Sequence, residues 1–267
     1  MGISDATDPE IPLTGGALNV VARVGDTVRR PSGPWTPSVH ALLDHVRERG
    51  FELAPAPLGI DDRGREMLSY FEGTTVGWSI PWPDFVRTED LLGQVGEATA
   101  AYHRAVADFR PEGPVPWRSG VAVLGDDEIV CHHDIAPYNV VLRDGELVGL
   151  IDWDLAGPGT VRSELAFVAW QWVPLHGPLV TQMLGWTSPP ARSRRLRILL
   201  DAYGLVDRTG FIDHVVRRVE YNRDVMVANA ARGDAAYQAL VDQGHVGGME
   251  EALGFLAENG PALQGGL

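Results

Sequence analysis

Lysine is absent from this 267-residue chain, so all 22 basic side chains are arginine. Any cation set against an anionic group must therefore be a planar guanidinium, which offers a bidentate fork but is no neutral replacement for an ammonium. Cysteine occurs once, as Cys131, which excludes an internal disulfide framework. No run is long and apolar enough to span a bilayer, and Met1 to Pro12 lacks the basic and apolar parts of a signal peptide. The expected location is the cytoplasm, with no membrane partner. Positive charge is outnumbered as well: the net charge of −14 argues against nucleic-acid binding, because a phosphate backbone would be repelled. Such a balance would suit a cationic small molecule, although acidic surfaces are ordinary in soluble proteins. The chain also shows no internal repeat, heptad seam or low-complexity tract.

What is present concentrates in residues 132–154. Asn139-Val140-Val141-Leu142 and Leu147-Val148-Gly149-Leu150-Ile151 are apolar runs joined through Asp144-Gly145, a strong two-residue hairpin signal. If that turn sets the register, Arg143 pairs with Glu146 and Asn139 lies opposite Leu150. Asp152 then points to the same face at the open end of the hairpin. One amide oxygen and one carboxylate converge where Asp134 leaves the preceding loop. Hard oxygen donors of this kind suit Mg²⁺, which keeps several waters and shares its remaining positions with phosphate oxygens.

The N-terminal third reads as strand, turn, strand. Leu13-Thr14-Gly15-Gly16-Ala17-Leu18-Asn19 precedes the run Val20–Val24, a turn at Gly25-Asp26, and a second run ending Arg29-Arg30-Pro31. A glycine pair lets backbone N–H groups approach phosphates closely, although a Gly-Gly pair alone is more often an ordinary turn. A helix over about Ser38 to Arg49 places Val39, Leu42, Leu43 and Val46 on one face. Leu58–Asp61 and Glu66–Phe71 form another hairpin. Beyond it the chain is mainly helical, over Glu89–Phe109, Ser193–Tyr203 and Phe211–Arg232, with a further helix-like run from Glu164. At this length and 45% hydrophobic content the chain can bury a sizeable core and is near the size at which cores divide.

His132-x-Asp134-x-x-x-x-Asn139 resembles the catalytic loop of the protein-kinase-like superfamily, and Ile151-Asp152-Trp153-Asp154 resembles its metal-binding segment. Within that superfamily the chain is similar to the aminoglycoside phosphotransferase family, which includes choline-kinase-like enzymes. It departs from the family pattern at His133, where Gly is common, and at Glu164-Leu165-Ala166, where Asp-Leu-Ala is common. The resemblance implies an α+β, two-lobed kinase-like fold. Residues 1–73 would form a small nucleotide-binding lobe with an antiparallel sheet and one main helix, and residues 74–267 a larger, mainly helical lobe for catalysis and substrate.

It also implies roles. Asp134 would be the catalytic carboxylate, Asn139 and Asp152 the Mg²⁺ ligands, and Gly15, Gly16 and Asn19 the phosphate loop. Ser69 to Glu72 would form the hinge, with Ser69 and Phe71 at the nucleotide base, and Tyr70 and Phe71 also able to act as packing residues. His132 would brace the loop, and Asp154 would cap the loop that follows or assist a second metal. The Lys that kinase-like enzymes set on the third strand must be replaced by an arginine. Position before Pro31 favours Arg30, then Arg29, and at least one of this pair should be solvated because adjacent strand residues face opposite ways. No Glu stands early in the first helix to pair with that cation; His40 and Asp44 are the nearby substitutes. The expected activity is transfer of the γ-phosphoryl group of ATP, or GTP, to a hydroxyl of a small molecule by a monomer or homodimer. The alternative is a nucleotide-binding pseudokinase acting as an interaction module.

Overall fold

The computed structural model describes residues 9–13, 21–77 and 79–267. Its contacts gather into two compact units. One comprises the described residues of Met1–Trp78 together with Ala98–Val161, and the other Ser79–Glu97 with Arg162–Leu267.

The first unit carries a five-stranded antiparallel sheet. Strands β1 (Ile11–Leu13), β2 (Val21–Val24), β3 (Thr27–Pro31), β4 (Pro57–Ile60) and β5 (Arg65–Ser69) take the order β1-β2-β3-β5-β4. Helix α1 (Thr36–Glu48) starts with Pro37 in its first turn, where a missing N–H costs nothing. It buries Val39, Leu42, Leu43 and Val46, the spacing of a single apolar stripe. Two residues, Thr74–Thr75 (β6), then lead into the second part of this unit. Helix α2 (Glu89–Val106) belongs to the second unit as far as Glu97 and to the first from Ala98. Its Tyr102, fully buried, donates to the carbonyl of Val130 at 2.7 Å.

Short strands β7 (Val115–Trp117), β8 (Gly120–Ala122) and β9 (Ile129–Cys131) precede the hairpin of β10 (Val140–Arg143) and β11 (Glu146–Leu150); β12 (Gly157–Gly159) pairs back with β9. Asp144 and Gly145 both take positive φ, 55° and 87°, as a tight primed turn requires. The register nevertheless differs from the one the turn alone predicts. Arg143 pairs with Glu146 and Leu142 with Leu147, but Val141 then pairs with Gly149, so Val148 is bulged out and Val140, not Asn139, lies opposite Leu150. Gly149 is required at that point: a Cβ there would lie 2.6 Å from the Phe71 ring. The Leu150 N–H donates to the carbonyl of Leu53 at 2.7 Å, tying the hairpin to the loop after α1.

The second unit is helical. It comprises α3 (Val161–Trp172), α4 (Pro178–Met183), α5 (Arg192–Tyr203), α6 (Phe211–Ala231), α7 (Ala235–Asp242) and α8 (His245–Gly265), with α6 packed along both α7 and α8. Nearly every side chain of α3 from Glu164 onward is buried, which is why its sequence shows an apolar run with little amphipathic alternation. Among the described residues, no helix is long and apolar enough to cross a membrane.

Between α3 and α4, burial first and then Arg192 lower the pKa of His176 to about 3. Its Nδ1 accepts from the Trp170 indole at 3.1 Å, so the neutral ring carries its proton on Nε2. A depressed folded pKa means that the unfolded chain binds the extra proton first. The stabilisation is thus complete above the unfolded value near 6.5 and is lost as pH falls toward 3. The expected loss is roughly 2 kcal/mol at pH 5. Urea unfolding at pH 7.5 and pH 5 of the wild type and His176→Gln checks it: the acid sensitivity should shrink in the variant by that amount.

Candidate active site

Strand β9 is fully enclosed and delivers His132, also fully buried, at its end. The Asp134 N–H donates to His132 Nδ1 at 3.3 Å, and Nε2 donates to the carbonyl of Ile151 at 3.1 Å. One imidazole thus bridges the two segments that carry the acidic residues, in a tautomer set by these two contacts. Trp153 packs on this ring at 4.4 Å between centroids, and Tyr102 meets Trp153 edge-on at 5.0 Å. The next residue, His133, adopts φ 68°, the left-handed region where Gly is the usual occupant and His is among the better-tolerated alternatives. Its Nε2 donates to the carbonyl of Pro158 at 3.2 Å, and space for the ring exists because Gly159 has no Cβ.

Asp134 is held from its own loop. Pro137 opens a 3₁₀ turn, Pro137–Asn139, which turns Tyr138 and Asn139 back toward it. Asn139 Nδ2 donates to the backbone carbonyl of Asp134 at 2.9 Å and to Oδ2 at 2.7 Å; the Tyr138 hydroxyl donates to Oδ1 at 2.9 Å. The Ile151 N–H donates to the carbonyl of Asn139 at 2.9 Å, so the bulged hairpin places Asn139 opposite Ile151, immediately before Asp152. Asp152 stands at φ 65° with its side chain 53% exposed.

Arg30 is only 7% exposed and lies among three carboxylates. Its guanidinium contacts Asp152 Oδ1 at 3.1 Å, Glu66 Oε2 at 3.3 Å and the Asp154 carboxylate. Burial works against its charge, but Asp152, Asp154 and Glu66 outweigh it and hold the pKa above the ordinary arginine value. His40 of α1 donates to the other oxygen of Glu66 at 2.9 Å. The carboxylate expected from a helix therefore comes from β5, directly across the sheet from Arg30, and the helix supplies the imidazole behind it.

Asp154 does not cap the following loop. The Trp35 indole donates to it at 3.2 Å and Arg118 at 2.9 Å, in addition to Arg30. Burial still raises its pKa above the usual aspartate value, outweighing the pull of Arg30. Arg29 is also buried, against the expectation that one of the pair is solvated. It contacts Asp61 at 3.7 Å and donates to the Thr27 hydroxyl, so both faces of β3 are covered.

Gly15, Gly16 and Asn19 lie outside the described residues. Ser69 exchanges two bonds with Ala56, its N–H donating at 2.9 Å and its hydroxyl accepting at 2.8 Å, while the Phe71 ring covers Gly149. Sequence alone assigns no site role to Glu66, Tyr138, Trp35 or Arg118. Glu66 had a usable signal, an acidic residue in a strand facing a basic one, but only once β3 is known to pair with β5.

Among the described residues, Asp152, Asp154 and Glu66 gather around Arg30, with Arg118 also on Asp154 and His40 on Glu66, a carboxylate cluster whose charge a divalent cation would help to balance. Among the described residues no three His, Cys, Asp or Glu side chains converge as a metal cage. Asp152 with the Asn139 amide oxygen fits instead an ion that draws its remaining ligands from phosphate and water, as Mg²⁺ does.

The profile of the phosphotransferase enzyme family matches residues 116–195, the span holding the His132–Asn139 loop, the β10–β11 hairpin and α3. The trifolitoxin immunity protein of Rhizobium leguminosarum bv. trifolii is 38% identical over 213 residues, covering 78% of this chain and 79% of that protein. Among solved structures, a choline/ethanolamine kinase family protein from Mesorhizobium loti superposes with a TM-score of 0.58 at 16% identity, over 97% of this chain and 91% of that one. The macrolide 2′-phosphotransferase of Brachybacterium faecium gives 0.55 at 16%, over 87% and 91%. The GDP complex of aminoglycoside 2′-phosphotransferase-IIIa gives 0.53 at 14%, over 96% and 93%. At such identities these likenesses speak to the fold, which is α+β and kinase-like.

Proposed function

The chain belongs to the phosphotransferase enzyme family, and we propose that it transfers the γ-phosphoryl group of ATP or GTP to a hydroxyl of a small molecule, with Asp134 as the carboxylate that orients the hydroxyl and takes its proton. The observation that carries this reading is the fixing of Asp134 through both its oxygens, by Tyr138 and Asn139, beside an Asp152 that Arg30 engages. Phosphoryl transfer depends mainly on positioning and charge stabilisation, so a rigid carboxylate next to an oxygen donor pair is the arrangement it needs.

Asn139 and Asp152 would hold Mg²⁺, which when bound neutralises phosphate charge. Arg30 would shift part of its bonding from Asp152 to the phosphates, while Glu66 and His40 keep its position. Gly15, Gly16 and Asn19 would restrain the phosphates, and the segment Ser69 to Glu72, with Phe71, would meet the nucleotide base. The excess acidity of the chain would suit a cationic acceptor.

A second reading of the acceptor rests on the 38% identity to a protein named for trifolitoxin immunity: the hydroxyl that receives phosphate would belong to a toxin, and its modification would protect the producing or neighbouring cell. Mg²⁺-dependent ADP release across aminoglycosides, macrolides, amino alcohols, sugars and trifolitoxin tests both readings. Stimulation by one class names the acceptor. Nucleotide binding without release across the whole panel would contradict the proposal and turn the assignment to a pseudokinase.

A further inference from the structure

The Tyr138 hydroxyl stands on Asp134 Oδ1 in the way an incoming acceptor hydroxyl must, as a donor at 2.9 Å. It is placed there by the backbone. Buried Pro137 and buried Asn139 flank it in the 3₁₀ turn, and the Ile151 N–H pins the Asn139 carbonyl. Tyr138 as a residue is less enclosed than its two neighbours. Oδ2 is committed to Asn139, which is itself needed where it is. Of these two donors, Tyr138 is the one that an acceptor can displace without moving Asn139.

Resting on the phosphotransferase reading, we infer that Tyr138 is a gate on the base: its hydroxyl occupies Asp134 until an acceptor hydroxyl replaces it, and so withholds the carboxylate from water. The reaction it suppresses is hydrolysis. There a water oxygen bonds to the γ-phosphorus, the bond to the ADP oxygen breaks, Asp134 takes the water proton and ADP leaves.

The test is acceptor-free release of ADP and phosphate from Mg²⁺ and ATP by the wild type, Tyr138→Phe and the double variant Tyr138→Phe/Asp134→Asn. Losing one hydrogen-bond competitor should raise hydrolysis by about fivefold, with the KM for ATP unchanged and the gain abolished in the double variant. A merely structural role for Tyr138 would move turnover the other way. Equal or lower hydrolysis in Tyr138→Phe, from an enzyme that does phosphorylate an acceptor, overturns the gate and leaves the phosphotransferase reading standing. No ADP from any of these proteins, with or without acceptor, overturns both.

Discussion

Asp134→Asn is expected to lower acceptor-dependent turnover by about 10²- to 10⁴-fold, the usual worth of a positioned proton acceptor. The substitution is nearly isosteric. The amide keeps one oxygen to accept from Tyr138 or Asn139, and His132 still receives the backbone N–H of residue 134, so the loop has every reason to keep its shape. What the amide cannot do is take a proton from the acceptor. Nucleotide affinity should stay within about threefold of wild type, a change of well under 1 kcal/mol, because Arg30, Asn139 and Asp152 are untouched. Single-turnover phosphorylation and calorimetric titration with Mg²⁺ and ATP read the two quantities separately. If turnover survives within tenfold, Asp134 orients the acceptor without serving as its base. If binding collapses together with turnover, the carboxylate was holding the site together.

The second large effect is on stability. Arg30→Met is expected to destabilise the first unit by about 3–5 kcal/mol, since removing one partner of a buried ion pair leaves its charge uncompensated. Glu66 is 2% exposed and Asp154 5%. Asp154 retains Arg118 and Trp35, and Asp152 can turn to water, so the loss falls mainly on Glu66, left with His40 alone. Neutralising that carboxylate as well, in Arg30→Met/Glu66→Gln, should recover a sizeable part of the stability while phosphoryl transfer remains absent. Urea unfolding of the single and double variants gives the coupling between the two positions. Additive losses would mean that the Arg30–Glu66 contact carries no energy and that Arg30 is held by Asp152 and Asp154.

Much of this molecule follows from local chemistry. Asp144-Gly145 dictates a primed turn because both residues must take positive φ, and the turn appears where the residue types place it. The apolar stripes of α1, α2, α5 and α6 are periodic, so those helices were visible within a few residues of their ends. The residue types at Asp134, Asn139 and Asp152 were likewise readable, and the proposal that they serve a phosphate-bound divalent ion rests on their being hard oxygen donors.

The remainder depended on contacts between residues far apart in sequence. A bulge at Val148 displaces Asn139 by one register position, and no turn residue encodes it; the Phe71 ring against Gly149 and the Leu150–Leu53 bond accompany it. Strand alternation predicted that Arg29 or Arg30 would reach solvent, and packing on both sides of β3 covers both. The carboxylate that anchors Arg30 is Glu66, 36 positions away in the numbering but directly opposite in the sheet, and no helix position could have announced it. The sequence by itself thus determined which charged groups, donors and turn formers are available, since residue type sets charge, donor capacity and backbone preference. Only the tertiary structure decided which of them meet, because burial and cross-strand pairing are properties of two segments at once and neither segment carries them alone.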